Sequence, residues 1–187
     1  MEYSGKELFA IELGLIKSDI VKEITEKVLA EVPNYFFEVP ASSTGKYHPQ
    51  YALGLGGLYR HVRAAVRIAS HLLRLEQVTF TQDEKDMIIA SLILHDCWKQ
   101  GNDTSGSTIH EHPLVAADKV KEVNLFMSDE YDEYVEKIAN NIASHMGQWT
   151  TNRFSVVVLP KPVTEMEKFV HACDYMASRK DIEVLNV

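Results

Sequence analysis

His95-Asp96 closes an apolar run, Ile88-Ile89-Ala90-Ser91-Leu92-Ile93-Leu94, and Lys99 follows three residues later. A carboxylate against an apolar helix face must find a cation, take up a proton or cost stability. A divalent metal ion meets that need. The chain supplies further donors in order: His61, His95-Asp96, His110 and His112, His145, and Asp174. Imidazoles and carboxylates together suit zinc, iron, manganese, nickel or cobalt better than calcium. One or two such ions are expected. Two ions bridged by Asp96, about 3.5–4 Å apart, would clamp an attacking hydroxide and a leaving or non-bridging oxygen together.

The elements that must carry these donors read as helices. Apolar spacing predicts a helix from Leu8 to Val32, stopped by Pro33, then a loop from Pro33 to Leu55 rich in proline, serine and glycine. A second helix runs from about Gly57 to Glu76, with His61, Ala65, Ile68, Leu72 and Leu75 on one face. A third starts after Thr81, where Asp83 and Glu84 suit the positive helix start, and ends near His95-Asp96. Gly101 to Glu111 reads as a loop over the site. Pro113 suits the first turn of a fourth helix, which continues to about Phe126. A fifth covers Glu130 to Met146 and a sixth begins at Thr164, with Glu167 completing a capping box. Val156 to Leu159 fits a short strand or an extended loop. His61, His145 and Asp174 fall in phase with core residues of three separate helices, which is how helix bundles build metal sites.

The fold class expected is therefore all-α, a single bundle of about five to seven helices. The 187 residues fit one domain, with a core over 57–180 and a helix and loop over 1–56 packed on it. Apolar content of 45% and charged content of 25% are those of a soluble globular chain. A formal charge of −8 argues against wrapping duplex DNA, which needs clustered lysine and arginine. It leaves room for a nucleotide, because bound cations invert the local field. Cys97 and Cys173 read as reduced, buried thiols. Neither a leader sequence nor an apolar segment long enough to span a bilayer is evident, so a cytoplasmic protein without membrane contact is expected.

The ordered elements Gly56-Gly-Leu-Tyr-Arg-His61, Leu92-Ile-Leu-His-Asp-Cys-Trp-Lys99, His112-Pro-Leu-Val-Ala-Ala117, Ile142-Ala-Ser-His-Met-Gly147 and His171-Ala-Cys-Asp-Tyr-Met-Ala177 resemble the HD superfamily of metal-dependent phosphohydrolases. The likeness runs from about Gly57 to Lys180. It implies that His61, His95, Asp96 and Asp174 hold one metal. It also implies that the chain is similar to the dinuclear branch, in which Asp96 bridges and His112 and His145 hold a second ion. His112 is preferred to His110 because the His-Pro context matches. The segment from Val158 to Glu167 is most similar to HD domains attached to exoribonucleases. No nucleic-acid-binding domain is expected ahead of it, so that activity is not implied by the resemblance. Many dinuclear relatives carry a second histidine directly after the one at 145, where this chain has Met146; His110 is a candidate substitute.

The resemblance implies hydrolysis of a phosphoester or phosphoanhydride bond by metal-activated water, with Asp96 orienting the water. Lys99, where the family often has a basic residue, would neutralise phosphoryl oxygens. The expected partner is a small phosphorylated molecule of nucleotide type; oligomeric state stays open. Lys46 and Tyr47 in the loop Ser42–Pro49, together with Arg153 and Trp149, are candidate substrate contacts, although loops carry such residues routinely. His48 could approach the site from the same loop, and His71 and His171 read as structural. Two other functions fit the same donors. One is a mixed-valent di-iron oxygenase, distinguished by iron and oxygen consumption. The other is a non-catalytic nucleotide-binding module, distinguished by binding without turnover.

Overall fold

The computed structural model describes residues 3–42, 44–46, 48–102, 106–124 and 127–187. Eight α-helices and three 3-10 turns make up the regular structure among these residues, with no strand. The helices are α1 (Gly5–Leu8), α2 (Ala10–Leu13), α3 (Asp19–Ala30), α4 (Gly57–Leu72), α5 (Gln82–Leu94), α6 (His112–Asn124), α7 (Asp132–Ala143) and α8 (Glu165–Ala177). The all-α expectation holds. Among the described residues no helix is long and apolar enough to cross a membrane.

Helix α5 is the axis. Thr81 and Glu84 form a capping box at its start. From Asp86 to Trp98 every residue is buried, and α3, α4, α7 and α8 all pack against the helix. Burial all round explains why its sequence shows an apolar run and not a stripe. Its end therefore delivers His95 and Asp96 to the centre of the molecule. Asn141 on α7 donates to the buried Ser91 hydroxyl at 3.1 Å, which donates in turn to the Met87 carbonyl at 2.7 Å.

The single helix expected over Leu8–Val32 is broken into α2 and α3, with α1 ending at Leu8. The break at Gly14–Ser18 has a local and a tertiary cause. Ser18 caps α3 by accepting from the Val21 amide. The buried Asp86 carboxylate accepts the Lys17 and Ser18 amides at 2.8 and 2.6 Å, so those donors are not available to a continuous helix. Asp86→Ala should cost about 2–4 kcal/mol, because two backbone donors lose a charged acceptor in a part-buried place. Urea unfolding of the variant should show a lower midpoint at unchanged slope.

The second helix stops at Leu72, short of the expected Glu76, and the chain turns there with Leu75 exposed. At its start Gly56 has φ +70°, and a Cβ on Gly57 would lie 2.3 Å from the Ala52 carbonyl oxygen. Arg60 then donates to the Tyr51 and Leu53 carbonyls at 2.6 and 2.9 Å. The loop ahead of α4 is thereby tied to the turn that precedes His61. The expected fourth and fifth helices are α6 and α7, and Phe126 lies outside the described residues. His145 follows α7 by two residues. Val156–Leu159 takes the extended-loop alternative, with the Leu159 amide donating to the Thr150 carbonyl at 2.8 Å.

Candidate metal centre

Five elements converge on one point. His61 comes from the second turn of α4, His95 and Asp96 from the end of α5, and His112 from the first residue of α6. His145 comes from the turn after α7, and Asp174 from the third turn of α8. All but Asp174 are at least 98% buried, and Asp174 faces a cavity. The ligand-type atoms of His61, His95 and Asp174 lie within 4.8 Å of one another, as do those of His95, Asp96 and His145. Asp96 divides its two oxygens. Oδ2 faces His61 Nε2 and His95 Nε2, both at 3.6 Å, while Oδ1 faces His112 Nε2 at 3.2 Å and His145 Nε2 at 3.7 Å. Asp174 Oδ1 lies 2.9 Å from His61 Nε2 and 3.4 Å from His95 Nε2.

The backbone fixes how three of the imidazoles are presented. His95, His112 and His145 each place Nδ1 2.7–2.8 Å from the carbonyl three residues earlier, at Leu92, Ile109 and Ile142. A carbonyl can only accept, so Nδ1 carries the proton and Nε2 turns a lone pair to the centre, the outer-shell arrangement of metal-binding histidines. His95 Nε2, His112 Nε2 and Asp96 Oδ1 are buried without a hydrogen-bond partner. Three orphaned lone pairs aimed at one point call for a cation.

The electrostatics agree. Burial alone would raise the Asp96 pKa, but the Lys99 ammonium and His95 outweigh it and hold the carboxyl well below the usual range. At Asp174 burial is likewise outweighed, first by the hydrogen bond with His61 and then by the neighbouring His95. Burial, with His95 beside it, pushes His145 down to about 3, so it stays a neutral donor. Lys99 ion-pairs directly with Asp96 Oδ2, the oxygen shared with His61 and His95.

A family model for the HD domain matches residues 58–179, more than half of the chain. The chain belongs to the HD family. No curated protein and no solved structure matches it significantly. HD domains bind divalent metal ions, and this one has His/Asp clusters of the kind that can hold them.

Beside the ligand cluster lies a cavity of about 400 Å³. His61, Asp174, Lys99 and His48 form its polar part; Met146, Trp149 and Tyr175 form an apolar wall, and Ser178 and Arg179 complete it. His48 packs edge-on against His61, with ring centroids 5.6 Å apart, and burial followed by the charges of His61 and Lys99 lowers it to about 4. Two residues singled out in the sequence lie elsewhere. Lys46 is exposed and does not line this cavity, and Arg153 is exposed with its guanidinium 4.3 Å from the Phe154 ring. Tyr47 falls outside the described residues. His110 turns away and donates to the Val157 carbonyl at 3.2 Å, whereas His112 joins the cluster. Ser178 and Arg179 carry no motif, and Tyr175 enters only as the neighbour of Asp174 in the last motif element. Their one local signal is the four-residue spacing of Tyr175 and Arg179 across the end of α8.

His171 does more than fill space. Its Nδ1 donates to the His145 carbonyl at 2.8 Å, tying the turn after α7 to the helix that carries Asp174. The imidazole fits only because residue 147 is glycine: at φ +62°, a Cβ there would lie 2.2 Å from His171 Cε1. Gly147→Ala should destabilise this HD domain by about 1–3 kcal/mol through backbone strain alone. It should also loosen metal binding at His145, read as a lower thermal midpoint and a lower metal stoichiometry.

Proposed function

We propose that this HD protein is a metal-dependent phosphohydrolase that cleaves a phosphoester or phosphoanhydride bond of a nucleotide-type substrate. The observation that supports this most is the division of the Asp96 carboxylate, one oxygen toward His61 and His95 and the other toward His112 and His145. On this reading His61, His95, Asp96 and Asp174 hold one divalent ion, and Asp96, His112 and His145 a second. Ions bound there supply Lewis acidity and a water acidified to near-neutral pH. Asp96 orients that water as a hydrogen-bond acceptor. Lys99 exchanges its contact with Asp96 for a phosphoryl oxygen of the incoming substrate, so one ammonium serves in turn as counter-ion and as transition-state clamp. His95, His112 and His145, locked through Nδ1, keep their geometry as charge builds, which limits reorganisation. Met146 offers no imidazole at the second ion, leaving room for water or substrate.

The test is metal analysis of gently purified protein with a phosphoester panel under manganese, nickel and cobalt, alongside Asp174→Ala. Wild type should hold close to two equivalents and turn over a phosphoester; the variant should do neither. About one equivalent with turnover would keep the hydrolase and reduce the centre to a single ion. Iron with oxygen consumption and no phosphoester turnover would replace this reading with di-iron oxygen chemistry. Metal and activity both retained in Asp174→Ala would overturn the site.

A further inference from the structure

The ligand cluster accounts for the floor of the cavity but not for its wall. Trp149 and Tyr175 lie nearly parallel, with centroids 5.7 Å apart and planes at 15°. The Arg179 guanidinium sits 4.5 Å from the centroid of the same Tyr175 ring. His171 meets Trp149 edge-on at 6.0 Å. Trp149 is thus held from two sides, yet it stays 44% exposed and lines the cavity that His61, Asp174 and Lys99 also line. An aromatic ring fixed in orientation and still open is a preorganised stacking surface. Met146 extends the apolar wall toward the floor. An inorganic or sugar phosphate would use the polar floor and leave this wall idle. A ligand with a phosphate at one end and a flat apolar ring at the other uses both, and the cavity is of small-molecule size.

We propose that Trp149 is the platform on which a nucleobase of the substrate stacks, with Tyr175 and Arg179 as positioning residues behind it. This rests on the phosphohydrolase reading and adds to it the part of the substrate that is recognised and the residues that do so.

The chain has two tryptophans, Trp98 buried and Trp149 exposed, so a quench that is lost in Trp149→Leu is assigned to Trp149. The manganese-loaded protein is titrated with adenosine monophosphate and with β-glycerophosphate, following both emission and hydrolysis. Adenosine monophosphate should quench saturably and β-glycerophosphate should not. Trp149→Leu should abolish the quench and raise KM for adenosine monophosphate about ten- to a hundredfold, as expected for one lost base stack. The rise for β-glycerophosphate, which has no ring to stack, should be smaller by about tenfold or more. Tyr175→Phe should retain the preference, because it keeps the ring, and Tyr175→Ala should weaken it. An unchanged adenosine monophosphate KM in Trp149→Leu, an equal rise for both compounds, or the absence of a quench in wild type would overturn the platform. An intact quench with no hydrolysis of these compounds or of any member of the phosphoester panel would overturn the phosphohydrolase reading and leave the platform standing.

Discussion

Asp96→Ala should strip the protein of every bound metal equivalent and lower phosphoester turnover by more than about a hundredfold, the upper range for loss of a mere outer-shell partner. The expectation follows from where the side chain sits. It is fully enclosed, its two oxygens face two different sets of imidazoles, and the Lys99 ammonium pairs with one of them. Among the described residues, the other carboxylate of the cluster, Asp174, does not take its place, because it lies on the His61–His95 side. Asp96→Asn separates charge from shape: it keeps the volume and one acceptor oxygen but removes the negative charge that draws cations together. It should fold like wild type and still fail to load metal. Metal analysis and kcat/KM on the two variants check this, and metal retained in Asp96→Asn would show that charge is not what the site needs.

Metal removal should cost stability as well as activity. In the metal-free protein the buried His95 Nε2, His112 Nε2 and Asp96 Oδ1 have no partner, and each such atom lowers stability. A cation among them removes that penalty and binds only the folded chain, since the ligands are spread from residue 61 to residue 174. At a free metal concentration of about one hundred times Kd, one site adds about 2.7 kcal/mol. For a domain of this size that is a rise in Tm of about 5–11 °C. Calorimetry of chelator-treated protein before and after manganese addition should show it, and Asp174→Ala should show much less. A wild-type Tm indifferent to metal would mean that the cluster does not bind it in the folded state.

Much of the centre could be read from residue order. His61, His145 and Asp174 are recognisable because they fall in phase with apolar residues of their segments, and His95-Asp96 and His112 because of the short contexts around them. Helical phase is a local property. The choice of His112 over His110 also had a local sign, the following proline. The failures were tertiary. The helix expected over Leu8–Val32 breaks because Asp86, almost seventy residues away, takes the Lys17 and Ser18 amides. Lys46 and Arg153 have the right chemistry for a phosphate, but the chain path carries neither to the cavity.

What the sequence determined by itself is the all-α class, the helix starts at Thr81 and Thr164, and which imidazoles and carboxylates lie on core-facing positions. Each of these depends on spacing of a few residues and on side-chain type. What only the tertiary structure decided is how the ligands share space and what faces them. The partition of the Asp96 oxygens depends on four helices meeting at one point. The pairing of Trp149 with Tyr175 depends on the turn after α7 lying against α8, and the His171–Gly147 contact that seats this turn reads as nothing in the chain. Local phase says that a side chain points inward; only the packing of separate elements says what it meets there.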